Sequence, residues 1–173
     1  MPIVAVLAYD HGARFVTLLN RTGASRDTLS DTLSHLIEEG VVAKNPGYGH
    51  PLRPEYTLTP FGESLGAPCI KATEVMPALG IVDAALKKWP MLVLVAIARG
   101  GSRFGEIKEL LPGITPRALT GALRDLQASG LAERTITEAW PPHTVYELTA
   151  LAREALPVLE EICATAEQRM EET

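Results

Sequence analysis

The 173-residue sequence has no apolar run near the ~20 residues needed to span a bilayer, so no membrane-spanning helix is expected. Its apolar start, Met1 to Ala8, lacks the basic n-region and long h-region of a secretory signal, and a cytoplasmic protein is expected. Cysteine is scarce. Cys69 and Cys163 lie far apart in no CxxC or metal-spaced pair, and both read as buried or half-buried thiols without a special role. His11, His35, His50 and His143 are scattered without ligand spacing, so no metal site is expected. There is no phosphate-binding glycine motif, no suggestive Ser-His-Asp set and no paired carboxylates in a cleft-like setting. Neither catalytic residues nor a cofactor is therefore expected, and an enzyme is disfavoured. Positive charge is also lacking overall: the formal net charge is −5. Its distribution is uneven. Residues 151–173 hold six glutamates against two arginines, net −4, leaving the other 150 residues near −1 and free to carry a local basic face.

What is present is a folded chain, 46% hydrophobic with ordinary glycine and proline, long enough for one domain or two small ones. It contains an internal repeat. Arg14-Phe15 recurs as Arg103-Phe104, and after a one-residue gap the offset becomes 90. Leu29, Leu33, Leu36 and Gly40 then match Leu119, Leu123, Leu126 and Gly130; Pro51 matches Pro141, and Tyr56–Thr59 matches Tyr146–Thr149. The matches fall where a shared architecture requires them, which indicates a duplication.

The second copy is the better defined. Lys88 to Ala98 is a continuous apolar stretch suited to a buried helix, stopped by Gly100-Gly101. Ser102 is placed to cap a short helix from Arg103 to Leu111, which Pro112-Gly113 ends. Thr115-Pro116 starts the next helix, with the hydroxyl as cap and proline at the first helical position. Leu119, Ala122, Leu123 and Leu126 form one apolar stripe, and Gly130 is the stop. Two short helices joined by a tight turn make a helix-turn-helix. A wing follows: strand-like Leu131 to Thr137, a proline-rich loop from Glu138 to His143, and alternating Thr144 to Leu148. Thr149 caps a long final helix whose acidic side reads as a solvated face over an apolar seam.

The first copy repeats the plan, with a short helix from Arg14 to Asn20, Ser25 capping the second helix, and Gly40 as its stop. Val41–Lys44 and Glu55–Leu58 are strands around a wing at 45–51, and Thr59-Pro60 opens a helix into a connector. This copy is expected to lack a full helix before the motif, since only Met1 to Tyr9 is available. The fold class is mainly α with small β-hairpins, as two tandem winged helix-turn-helix domains at 1–66 and 87–173 joined by a helical connector at 67–86.

A helix-turn-helix of this kind presents its second helix to the major groove of double-stranded DNA. In the second copy that helix offers Thr115, Arg117, Thr120, Gly121 and Arg124 opposite the leucine stripe, with Arg103, Arg134 and His143 as candidate backbone contacts. The first copy places Asp27, Asp31 and Ser34 where the second has Arg117, Gly121 and Arg124. Only Arg26, with Lys44, His50 and Arg53 around the wing, offsets those carboxylates. The second copy is therefore expected to be the main DNA reader. A non-catalytic protein-interaction scaffold is the competing reading, favoured by the acidic first copy. Trp140 either packs against its own wing or faces a partner, and Lys87-Lys88 is either a phosphate contact or a solvated helix start.

The runs Lys88-Trp89, Gly101–Ile107, Leu111–Leu119, Gly130-Leu131, Arg134, Pro141-Pro142 and Tyr146–Thr149 resemble the HxlR family of bacterial regulators. The likeness covers roughly Met76 to Ala164 and is much weaker over residues 1–66. It implies a transcription factor whose winged domains pair as dimers through terminal helices. Family members usually carry one such domain, so a homodimer through the C-terminal helix or a pseudo-dimer within one chain is implied. Some members sense oxidants or electrophiles through a Cys-Pro pair before the Lys-Trp helix. Met76-Pro77 stands there in this chain, with Cys69 seven residues earlier, so that mechanism does not carry over.

Overall fold

A computed structural model of the chain describes residues 1–45, 55–138 and 140–171. It divides into two compact units, one of Met1–Glu74 with Glu161–Thr173, the other of Val75–Glu160. The first contains α1 (Pro2–Asp10), β1 (Ala13–Arg14), α2 (Phe15–Thr22), α3 (Arg26–Glu38), β2 (Val42–Asn45), β3 (Glu55–Leu58) and α4 (Pro60–Ser64). Next comes α5 (Gly66–Ala78). In the second unit follow α6 (Val82–Ala85), α7 (Pro90–Ala98), α8 (Phe104–Glu109), α9 (Pro116–Ala128), β4 (Ala132–Ile136) and β5 (Thr144–Leu148). The long α10 (Ala150–Glu171) starts in the second unit, and from Glu161 onward belongs to the first. Among the described residues, no helix is long and apolar enough to cross a membrane.

The first unit closes around Leu7 of α1, Leu18 of α2, Leu29 and Leu33 of α3, and Val42 of β2, all buried, with Ile162 of α10 packed on this core. Its sheet has strand order β1-β3-β2 and is antiparallel, pairing Ala13 with Tyr56 and Val42 with Leu58. The end of α10 is held by Arg169 over the Phe61 ring at 4.6 Å and by Lys71 to Glu161 at 3.9 Å.

The second unit packs Val93 and Leu94 of α7, Ile107 of α8, the leucine stripe of α9, Leu131, and Ala152 and Ala155 of α10. Each leucine of α9 is 0–2% exposed, which makes the stripe the largest apolar contribution of that helix to the core. β4 and β5 form an antiparallel hairpin, Ala132 opposite Leu148 through Ile136 opposite Thr144.

The duplication is visible atom by atom. Thr59 Oγ1 donates to Gly40 O at 2.6 Å, and Thr149 Oγ1 donates to Gly130 O at 2.7 Å. The Thr59 amide reaches Val41 O as the Thr149 amide reaches Leu131 O, at 3.1 and 3.2 Å. Both threonines also cap the helix that follows, accepting from Gly62 and Ala152 amides. Each recognition-type helix ends alike, with Gly40 and Gly130 at φ 66° and 67°. One difference lies in β1. The second unit replaces that strand by a single bond, Tyr146 N–H to Ser102 O at 2.8 Å.

Two expectations are corrected. The first copy does not lack the leading helix: α1 spans nine residues, as α7 does, and both open on proline. It ends through His11 at φ 56°, a left-handed residue other than glycine, with Gly12 N–H on Leu7 O. Ser102 is not the cap residue of α8 either. The helix starts at Phe104 with Arg103 at the cap position, because the Glu106 carboxylate turns back and takes the Ser102 and Arg103 amides, both at 2.9 Å.

Candidate nucleic-acid interface

The geometry of α9 follows from its ends. Thr115 Oγ1 accepts from Ala118 N–H at 3.2 Å while Pro116 fills a position whose amide needs no partner. At the other end Leu131 N–H returns to Leu126 O at 2.8 Å and Gly130 N–H to Gln127 O at 3.0 Å. With Leu119, Ala122, Leu123 and Leu126 turned inward, Arg117, Thr120, Gly121 and Arg124 are left exposed on the outer side. Thr120 folds its hydroxyl onto Pro116 O at 2.8 Å. Arg117 and Arg124 have no hydrogen-bond or ion partner among the described residues. Two unpaired guanidiniums on one exposed face leave their N–H groups free to donate.

Gly121 has no packing reason to be glycine. A Cβ built there meets nothing within 4 Å, and its φ is not positive. A glycine inside an exposed helix costs roughly 1 kcal/mol relative to alanine, so this residue lowers stability and keeps the outer surface flat.

The wing sorts its charge by strand alternation. Arg134 and Ile136 share one face with Thr144, Tyr146 and Leu148, while Glu133, paired across to Glu147, stands on the other with Thr135 and Val145. The arginine-bearing face meets α9 at an open cleft of about 250 Å³, lined by Arg124, Gln127, Thr120, Phe104, Arg134 and Tyr146. Arg134 is steadied there by donating to Thr144 Oγ1 at 3.2 Å.

The wing is tied to the helix-turn-helix at its far end. Arg103 Nη2 lies 2.6 Å from His143 Nε2. A guanidinium only donates, so Nε2 accepts and the ring proton sits on Nδ1, which donates to Pro141 O at 3.1 Å. The His143 amide donates to Thr137 Oγ1 at 3.3 Å, and the Thr137 amide to His143 O at 2.9 Å. Glu106, beneath the start of α8, accepts from the Arg103 and Ser102 amides and the Ser102 hydroxyl. These hydrogen bonds, the Arg103 amide foremost, hold its carboxyl below the usual glutamate range. Arg103 and His143 are thus partners of one another across 40 residues, which no local sequence pattern signals. Lys87 is likewise engaged, 2.7 Å from Asp125 on α9.

The same construction in the first unit carries different chemistry. Ser25 Oγ accepts from Thr28 N–H at 3.2 Å, so α3 is capped as α9 is. Its exposed side presents Asp27, Asp31 and Ser34, with Arg26 exposed and unpaired among the described residues. Lys44 lies over the Tyr56 ring at 6.0 Å. His50 and Arg53 lie outside the described residues, so the structure does not place them.

Among the described residues no cluster of His, Cys, Asp or Glu is arranged to hold a metal ion. Cys69 is 3% exposed, and burial pushes its thiol up from the ordinary range. That opposes the thiolate character a reactive cysteine needs.

The HxlR-like helix-turn-helix family matches the chain twice, over residues 2–76 and 85–173, and the chain belongs to it. A curated relative is the uncharacterized HTH-type transcriptional regulator sll1512 of Synechocystis sp., 37% identical over 92 residues, covering 53% of this chain and 68% of that protein. The uncharacterized HTH-type transcriptional regulator YkvN of Bacillus subtilis is 40% identical over 76 residues, covering 44% and 64% respectively. A similar regulator from Methanothermobacter thermautotrophicus is 41% identical over 76 residues, and the chain spans 58% of its length. Among solved structures, diamide-treated YodB from B. subtilis is 29% identical, over 50% of this chain and 85% of its own, with a TM-score of 0.42. The redox regulator HypR in its oxidized form is 30% identical, over 53% and 95%, with a TM-score of 0.48.

Proposed function

We propose that this chain regulates transcription by binding double-stranded DNA, that it has no catalytic activity, and that its second winged unit is the principal reader. The observation that carries the proposal is the outer face of α9, where Arg117 and Arg124 are exposed and unpaired around Gly121 on a helix fixed at both ends. In this reading α9 lies in the major groove, Thr115 and the first turn approach a phosphate, and the two arginines reach acceptors on guanine or on the backbone. Arg134 and the Arg103–His143 pair hold the wing against the adjoining backbone. The functional division follows residues 1–66, 67–86 and 87–173. The first unit contributes little to affinity, since Asp27 and Asp31 oppose phosphates and are offset around the motif by Arg26, Lys44, His50 and Arg53.

A salt titration tests this. Binding of a mixed-sequence duplex, followed by fluorescence anisotropy, is expected to weaken steeply as salt rises, with a slope of about −0.9 per phosphate neutralised. Absence of binding even at low salt overturns the proposal in favour of a protein-interaction scaffold. A light-scattering mass taken alongside distinguishes the two assemblies: one reading unit per chain requires a homodimer for two half-sites, two reading units only a monomer.

A further inference from the structure

Each winged unit has a hollow lined by the end of its leading helix, its last strand and the helical segment that follows. Its volume is about 300 Å³ in the first unit and about 500 Å³ in the second, in the range of small-molecule sites. The linings correspond along the repeat. Ala8, His11, Thr57, Leu58, Glu63 and Gly66 stand in the first unit where Ile97, Gly100, Glu147, Leu148, Arg153 and Leu156 stand in the second. The apolar wall is kept in both, but the polar groups differ. In the second hollow Arg153 is set against Glu147, so the charge cancels. The first has the Glu63 carboxylate and neither lysine nor arginine in its lining. The Glu63 and His11 side chains have no hydrogen-bond or ion partner among the described residues.

His11 supplies a second, independent sign. It holds φ 56°, whereas Gly100 fills the matching position at φ 105°. A left-handed backbone strains any side chain and spares glycine, so the first unit carries a histidine at a steric cost that its repeat avoids. That imidazole lines the same hollow as Glu63.

We propose that the hollow of the first unit is a binding site for a small organic cation, an ammonium group on a short apolar body. Ala8, Leu58 and Gly66 form the wall for the hydrocarbon, Glu63 pairs with the ammonium, and the acceptor nitrogen of His11 takes one of its N–H bonds. An anion meets the Glu63 charge, and a neutral apolar molecule covers that carboxylate without giving it a partner. The site gives the first unit, whose α3 presents Asp27 and Asp31, a task that does not depend on DNA reading by α9.

Benzylamine, an ammonium ion at neutral pH, is the probe, with benzyl alcohol as its uncharged counterpart. Amide proton–nitrogen correlation spectra of the full chain are recorded as each is added. Benzylamine is expected to bind saturably with a Kd of about 1 mM, shifting the amides of His11, Thr57, Leu58 and Ala67 and leaving those of Gly100, Glu147 and Arg153 nearly unmoved. Benzyl alcohol, and benzylamine with Glu63→Gln, should each bind about fivefold more weakly, the loss of one exposed ion pair. His11→Gly relieves the left-handed strain, so it should fold at least as well and still lose part of the affinity. Ala67→Leu, at an exposed position on the rim, should close the hollow and abolish binding. Equal binding of the alcohol and the amine, unchanged binding by Glu63→Gln, or matching shifts in both hollows overturns the inference. So does a lack of saturable shifts. None of these outcomes touches the reading of α9, which the salt titration with duplex DNA decides separately.

Discussion

Replacing Gly121 by alanine should move stability and binding in opposite directions. The residue lies within α9 with an ordinary helical φ, and an added Cβ meets nothing within 4 Å, so the folded state accepts the methyl without strain. Alanine removes the backbone freedom that glycine gives the unfolded chain, which is worth about 0.5–1 kcal/mol in an exposed helix interior. That corresponds to a rise in Tm of roughly 1–4 °C if both units unfold together and roughly 2–8 °C if the second unfolds alone. The methyl, however, stands between Arg117 and Arg124 on the face assigned to the groove, where it displaces a close approach of the helix to DNA. Duplex affinity is therefore expected to fall about five- to tenfold, close to 1–1.4 kcal/mol. Thermal melting monitored by circular dichroism gives the first quantity and anisotropy with a duplex gives the second. A stabilised variant with unchanged affinity would refute the argument that this glycine serves the interface. A destabilised one would refute the packing argument itself.

Further outcomes follow from the same geometry. Gly62→Ala should destabilise the first unit by about 2 kcal/mol or more in chemical denaturation, because the new Cβ would lie 2.0 Å from Val41 O, whereas the matching position in the second unit already holds Ala152. Leu119→Ala, at a fully buried site, should cost about 2–5 kcal/mol in the same assay. Glu106 is held below its ordinary range by the amides of Arg103 and Ser102, so its charged form favours the folded state. The stability gap between the wild type and Glu106→Gln should be fully present at neutral pH, above the unfolded glutamate range. It should close as pH falls through the lowered folded value, and a gap that widens in acid would contradict the assigned hydrogen bonds.

The parts of the fold that are legible in the sequence are those fixed by neighbours along the chain. Thr115-Pro116, the leucine stripe and Gly130 each act within a few residues, and α9 has the cap, face and stop they specify. The repeat extends this to α3, where Ser25 and Gly40 play the same parts. α1 is less legible because it is apolar nearly all round and ends on a left-handed histidine instead of a glycine, so neither period nor stop signal marks its length. The start of α8 moved by one residue because a carboxylate three positions on, and not the serine hydroxyl, satisfies the free amides. The composition of the α9 face was readable, since its inward side was. The tie between Arg103 and His143 was not, because it depends on where a hairpin folds back over a helix start 40 residues away.

The two recognition-type helices carry opposite charge on their exposed faces, and a comparison of salt dependences separates their parts in binding. Duplex binding is measured from low to high salt for the wild type, for Arg117→Ala with Arg124→Ala, and for Arg26→Ala with Lys44→Ala. The α9 double variant is expected to lose most of its affinity, with each lost phosphate contact making the salt slope shallower by about 1, while the first-unit variant stays near wild type. Unchanged binding after loss of Arg117 and Arg124, together with abolished binding after loss of Arg26 and Lys44, would contradict α9 as the principal reader.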